Sequence, residues 1–174
     1  MIYFTSDLHL GHNNIIKYTN RPFKDYREMD NILIDNWNKI ISDKDEVYIL
    51  GDLTMGGPDI ADRYLSRMNG RKYLVNGNHD YFANIYNGSQ LIWIKDYYEL
   101  KHNKEYIVLC HYPFNEWNRS YHGSLHLHGH QHNHSDYNLD QRKNNKNRYD
   151  VGVDANDFKP ISLDKILKFF RSNG

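Results

Sequence analysis

The chain has 174 residues with 22 Lys plus Arg against 22 Asp plus Glu, so it carries no net charge and no whole-molecule field to draw it to nucleic acid or anionic lipid. That length, with no long Pro-, Gly- or Ser-rich stretch, fits one domain over residues 1–174, and 39% hydrophobic residues with 15 tyrosines argue for a packed core and against disorder. The longest apolar runs, at 47–50 and 106–110, are far shorter than the roughly 20 residues a membrane-spanning helix requires.

In chain order, residues 2–5, 47–50, 73–75, 106–110 and 125–128 are short aliphatic and aromatic runs that stop at polar or glycine-containing turns, and they predict strands. Between them, Met29, Ile32, Leu33, Trp37, Ile40 and Ile41 recur at helical spacing, as do Ile60, Tyr64, Leu65 and Met68 after Pro58, a first-turn proline. Near the end, Ser162 is placed to cap a helix with Leu163, Ile166, Leu167 and Phe170 on one side and Lys168 and Arg171 in its last turn. Strand and helix alternate in the first half, and residues 91–153 look strand-rich, so the expectation is an α/β domain with some antiparallel pairing. Residues 141–148, QRKNNKNR, predict a solvated hairpin loop, with a phosphate-gripping loop as the alternative. Cys110 is the only cysteine, which excludes an intrachain disulfide, and its position at the end of an apolar run predicts an ordinary buried thiol. With a first strand at the amino terminus leaving no room for a secretory leader, the expected setting is the cytoplasm.

The chemistry-bearing residues fall where the predicted strands end. Asp7-Leu8-His9 follows the first, Gly51-Asp52 the second, Gly77-Asn78-His79-Asp80 the third, His111 the fourth and Gly129-His130-Gln131-His132 the fifth. Sites in open α/β sheets gather at the carboxyl ends of strands, because exposed loops there spring from fixed origins. Each piece alone is weak, since a lone Gly-Asp is usually a turn or cap and a lone histidine after a strand is usually a satisfied polar residue. Five such pieces, each at a strand end, predict one shared metal site. Imidazoles, carboxylates and an amide oxygen without thiolate suit Mn, Fe, Zn, Co or Ni rather than a closed structural zinc. Seven ligands are too many for one catalytic ion. They suit two ions about 3.5–4 Å apart that share a carboxylate, acidify bound water and clamp the attacking and leaving oxygens of an in-line displacement.

These segments, Asp-x-His, Gly-Asp, Gly-Asn-His-Asp, His and Gly-His-x-His, resemble the full pattern of the calcineurin-like metallophosphoesterase superfamily in its compact bacterial and phage branch, from Asp7 to His132. The resemblance implies a four-layer sandwich of two mixed β-sheets flanked by helices. It implies one metal bound by Asp7, His9, Asp52 and His132, a second by Asp52, Asn78, His111 and His130, and a metal-bridged hydroxide as nucleophile. It also implies that His79 stabilises the phosphoryl oxygens and protonates the leaving group, with Asn78 fixing geometry beside it. Asp80 either orients that imidazole or caps the segment after it. The sequence Gly51-Asp52-Leu53-Thr54-Met55-Gly56-Gly57 lacks the second acid and the arginine of the protein serine/threonine phosphatases, which argues against a protein substrate.

By position, His12, Asn13 and Arg21 are candidate substrate contacts, with Arg21 suited to a bidentate grip on a phosphate oxygen. Tyr112, Phe114 and Trp117 form either an aromatic rim able to stack on a base or plain loop packing. His126 and His128 share a strand face, and either support the metal ligands from behind or are simply buried. The expected substrate is a nucleotide or other small phosphorylated metabolite; nucleic acid ends and a non-catalytic scaffold are the alternatives.

Overall fold

The computed structural model describes residues 1–171. Among the described residues nine strands form two mixed sheets. The first is ordered β4(Leu91–Lys95), β3(Arg71–Val75), β2(Glu46–Ile49), β1(Ile2–Thr5) and β9(Ile161–Ser162), and the second β5(Tyr98–His102), β6(Glu105–Leu109), β7(Leu125–His128) and β8(Arg148–Asp150). Strands β1 to β4 run parallel while β9 is antiparallel to β1, and β6 to β8 run parallel while β5 is antiparallel to β6. The carboxyl ends of β1, β2 and β3, and separately of β6, β7 and β8, therefore share one end of each sheet. Bridging between Ser6 and Gly152, with a Val153 N–H to Ser6 O hydrogen bond of 3.1 Å, joins the two ends.

Period-two alternation explains why the sheets stack. Tyr3, Val47, Ile49 and Leu74 face a core shared with α1(Asn13–Tyr18), α2(Tyr26–Asn38) and α3(Pro58–Leu65), where Met29, Leu33 and Trp37 are buried. Phe4, Tyr48, Leu50, Tyr73 and Val75 point the other way, against Ile107, Leu109, Leu125 and Leu127 of the second sheet. Helix α5(Leu163–Arg171) adds Leu163 and Ile166 to this second core, and the N–H of Lys165 donates to Ser162 Oγ at 3.3 Å as its cap. On the outer face of the second sheet His126 and His128 lie under Phe114, Trp117 and Tyr137, the last of these from α4(Asp136–Lys143). The architecture is that of two mixed sheets flanked by helices.

Two expectations are corrected. Residues 141–148 are not a hairpin: 141–143 close α4 and Arg148 opens β8, with its guanidinium held by Gln141 Oε1 (2.8 and 3.1 Å) and Phe114 O (2.8 Å) and so not placed to grip phosphate. Ile60, expected on the inward side of α3, is 39% exposed.

In the inter-sheet core Tyr48 stacks on Tyr73 at 4.7 Å with planes 13° apart, on Phe4 at 5.6 Å and on Tyr98 at 6.1 Å, whereas its hydroxyl has only a 3.4 Å contact to Glu46. Stability should therefore follow the ring. Tyr48→Ala is expected to lose about 3–5 kcal/mol and Tyr48→Phe less than about 1.5 kcal/mol, read from urea denaturation midpoints.

Candidate active site

The loops after β1, β2, β3, β6 and β7 meet at one place. The Asp7 N–H donates to Gly51 O (3.0 Å) and that of His9 to Asp52 O (2.9 Å), so the loops after β1 and β2 run locked side by side. Asp7, His9, Asp52, His130 and His132 all have positive φ, between 49° and 73°. Non-glycine residues adopt that region at a cost of about 1–2 kcal/mol each, and such residues concentrate at functional sites. The neighbouring glycines are needed for closeness. A Cβ on Gly51 would lie 2.4 Å from His111 Nδ1, and one on Gly129 would overlap Ser6 Oγ at 1.7 Å.

All seven sequence-predicted ligands converge. Side-chain atoms of Asp7, His9 and His132 lie within 4.8 Å of one another, and so do those of Asp7, Asp52 and His111. The two groups share Asp7, and Asp52 Oδ2 of the second also reaches the first, 3.4 Å from His9 Nε2 as against 3.6 Å from His111 Nε2. Asn78 Oδ1 is 2.9 Å from His111 Nε2 and 3.0 Å from His130 Nδ1.

Hydrogen bonding aims the imidazoles. His111 Nδ1 donates to Leu50 O (2.8 Å), which turns Nε2 toward Asn78. His132 Nδ1 contacts Asp154 Oδ2 (2.8 Å), so its proton lies there and Nε2 is free. His9 is the sharpest case, since both its ring nitrogens are buried without a hydrogen-bond partner. Burial, reinforced by His132, pushes its pKa down to about 2, so the ring is neutral. A fully orphaned buried imidazole is costly unless something else takes its lone pair. Converging lone pairs of N and O with no thiolate fit divalent cations.

The acids carry the complementary strain. Burial pushes the Asp7 carboxyl up to about 8, against the pull of His132 and a hydrogen bond from Ser6 Oγ, and Asp7 also accepts from the His130 N–H at 3.0 Å. Asp80 neither orients the His79 ring nor caps a helix. Its carboxylate accepts the N–H groups of Gly77 (2.9 Å), Asp52 (2.8 Å) and Leu53 (2.8 Å), and burial raises its pKa to about 6. His79 donates its backbone N–H to Asp52 Oδ1 (2.9 Å) and its Nδ1 is buried without a partner.

A cleft of about 490 Å³ opens over these groups, lined by His9, His12, Asp52, Asn78, His79 and His130 among others. The three candidate substrate contacts separate here. His12 lines the cleft, with a buried, unpartnered Nδ1. Asn13 does not; its Oδ1 accepts from the Tyr26 N–H at 3.1 Å and ties α1 to α2. Arg21 is likewise turned away from solvent. Its guanidinium is fully buried, forms a two-point pair with Asp154 (2.8 and 2.8 Å) and donates to Asp7 O (2.7 Å) and Leu8 O (3.2 Å). It braces the ligand loop instead of meeting a phosphate.

The residue that sequence reading missed is Asp154. Although burial opposes its charge, His132 and Arg21 hold its pKa down to about 2, and it is the link that aims His132. It lies just after β8, so the rule of ligands at strand ends would have found it had that three-residue strand been recognised. Tyr112 is 43% exposed and its ring lies 4.7 Å from that of His130, while Phe114 stacks on His126 (5.1 Å, 7°) and Trp117 Nε1 donates to Ser124, so only the first is a rim residue. His126 accepts the Phe114 N–H at 3.0 Å and His128 Nδ1 donates to Gly129 O at 2.9 Å, so both serve loop placement.

Asp154→Asn should lower divalent-metal affinity about 10- to 100-fold, as loss of an imidazole's orienting carboxylate does, read by calorimetric titration with Mn(II). The same variant leaves Arg21 buried without its counter-charge and should lose about 3–5 kcal/mol in denaturant unfolding. An unchanged metal affinity would mean that Asp154 does not set the His132 ring.

The profile of calcineurin-like phosphoesterases matches residues 1–148. An uncharacterized protein of Methanocaldococcus jannaschii is 37% identical over 170 residues, covering 96% of this chain and 89% of that protein. The gene 66 protein of Mycobacterium phage D29 is 29% identical over 155 residues, 74% of this chain and 76% of that protein. A crystal structure of a protein of unknown function from Aquifex aeolicus superposes with a TM-score of 0.77 at 29% identity, covering 97% of this chain and 98% of that one. With its glycine-bracketed ligand loops at the strand ends and that profile spanning most of its length, the chain belongs to the calcineurin-like phosphoesterase family, hydrolases of phosphoesters.

Proposed function

We propose that the protein hydrolyses the phosphoester of a nucleotide or another small phosphorylated metabolite, as a phosphodiesterase or phosphatase, with two divalent ions, Mn foremost, held between the two sheets. The observation that carries the dinuclear reading is the place of Asp52 Oδ2, 3.4 Å from an imidazole of one donor group and 3.6 Å from an imidazole of the other. Asp7, His9, Asp52 and His132 would hold one ion, and Asp52, Asn78, His111 and His130 the other. Such ions supply Lewis acidity toward phosphoryl oxygens and make water acidic enough to serve as a nucleophile near neutral pH.

The chain's own groups do the rest. His111 and His132 turn their Nε2 atoms to the site because their Nδ1 atoms are committed to Leu50 O and Asp154. His79 lines the cleft beside Asp52, and its imidazole stabilises the phosphoryl oxygens and gives a proton to the departing oxygen. Exposed Tyr18 (73%) and Tyr112 (43%) offer ring faces near the cleft for a base. Zero net charge favours a small substrate over a long polyanion, whose binding draws on many cationic contacts. No helix among the described residues is long and apolar enough to cross a membrane, and the buried single thiol, its pKa raised by burial, suits a reducing cytoplasm.

Mn-loaded protein should hydrolyse bis(p-nitrophenyl) phosphate or p-nitrophenyl phosphate, and the chelated protein should not. Asp52→Asn is expected to abolish turnover, and His79→Ala to lower kcat about 10²- to 10⁴-fold with metal content unchanged. Bound metal without turnover in Mn, Fe, Ni, Co and Zn forms, or full activity in Asp52→Asn, overturns the reading.

A further inference from the structure

Beside the catalytic cleft lies a larger cavity, of about 620 Å³, and His12 lines both. Two of its walls are the outward continuations of the ligand loops: Leu10 to His12, directly after His9, and Thr54 to Gly56, directly after Asp52. These walls are tied by a hydrogen bond from the Leu10 N–H to Leu53 O (2.9 Å) and one from Thr54 Oγ1 to Leu10 O (2.8 Å), so the cavity is fixed relative to the metal-ligand groups. The facing wall is α3 and the turn beyond it.

The lining combines exposed apolar side chains with two cationic ones. Met55 is 42% exposed and Ile60 39%, although Ile60 stands at a position whose helical spacing would otherwise put it in the core. Arg63 and Arg67, four residues apart and so on the same side of the chain, also line the cavity. Among the described residues neither guanidinium forms an ion pair with a carboxylate; Arg63 Nε reaches only Asp59 O at 3.4 Å, and Arg67 Nη2 donates to Asn31 Oδ1 at 3.0 Å. Exposed arginines alone are commonplace. Two of them without carboxylate partners, on a cavity floored by exposed apolar side chains and joined to a phosphoester site, describe a ligand with a ring-shaped or apolar body and a second anionic end.

We propose that this cavity is the subsite for the part of the substrate beyond the scissile phosphate, and that it selects an organic group with an apolar or aromatic body and a second phosphate, gripped by Arg63 and Arg67. A nucleoside carrying two separate phosphates has that chemistry, with one phosphate over the metal-ligand residues and the other at the arginines. The inference rests on the phosphoesterase reading and adds a substrate class to it.

The test compares adenosine 3′,5′-bisphosphate with adenosine 5′-monophosphate by calorimetry on Mn-loaded His79→Ala protein, in which turnover is slowed. The bisphosphate should bind about tenfold more tightly, a modest figure for charge-assisted contacts at exposed side chains, and the advantage should vanish when Arg63→Gln and Arg67→Gln are added. In otherwise native enzyme the same arginine pair should leave kcat and KM for bis(p-nitrophenyl) phosphate unchanged. Equal affinities, no binding of the bisphosphate, or an advantage that survives both substitutions overturns the subsite. Absence of turnover of both bis(p-nitrophenyl) phosphate and p-nitrophenyl phosphate by native Mn-loaded enzyme would instead strike the phosphoesterase reading, so the two failures are distinguishable.

Discussion

The carboxylate of Asp80 accepts three backbone N–H groups, from Gly77, Asp52 and Leu53, and in doing so fastens the loop after β3 to the loop after β2. Asn78 and Asp52 owe their mutual placement to that junction. The loop after β1 is laid against the loop after β2 by backbone hydrogen bonds, and the loop after β7 is drawn in by the His130 N–H on Asp7. The site is thus an interlocked set of backbones from which side chains project, and the left-handed conformations of five ligand positions are tolerated because each loop overdetermines its neighbour.

Charge reinforces this geometry. Asp7, Asp52, Asp80, Asp150 and Asp154 bury their side chains around the junction, against the single buried guanidinium of Arg21. Arg21 lies on one branch of that network, through Asp154 to His132, and touches the loop after β1 through Asp7 O and Leu8 O. Ionising so many buried carboxyls is unfavourable in a bare protein, which is why burial raises the pKa of Asp7, Asp80 and Asp150, and favourable in one that binds cations. Stability and metal affinity are therefore coupled through the same residues.

Much of this was legible in the sequence, for identifiable reasons. Strands β1 and β7 and the three large helices show strong apolar periodicity and clear stops, so their positions follow from pattern. Strand β4 has a half-exposed face without clean alternation, β8 has three residues and β9 two, and these exist only because a neighbouring strand pairs with them. Helix α4 has little apolar content to mark it, and the basic run at its end reads as a loop. The ligands were legible because their residue types are chemically diagnostic in combination. The role of Arg21 was not, because it depends on a pairing with Asp154 far away in sequence, and Asp154 was missed because it follows a strand of three residues too short to read from pattern.

The edge of the first sheet has a consequence for how the chain acquires its structure. The partner of β1 on that edge is β9, with Phe4 opposite Ile161, and the loop after β1 is bridged to Gly152. Residues of β1 thus leave a ribosome long before the β9 residues that pair with them. Phe4, an interior residue with 0% exposure, packs on Tyr48 and the second sheet but lacks its Ile161 neighbour until then. A fold so dominated by distant pairings is expected to form slowly and to be most exposed to aggregation while nascent, and the loop after β1, bridged through Ser6 to Gly152 and Val153, is completed only once those residues have been made.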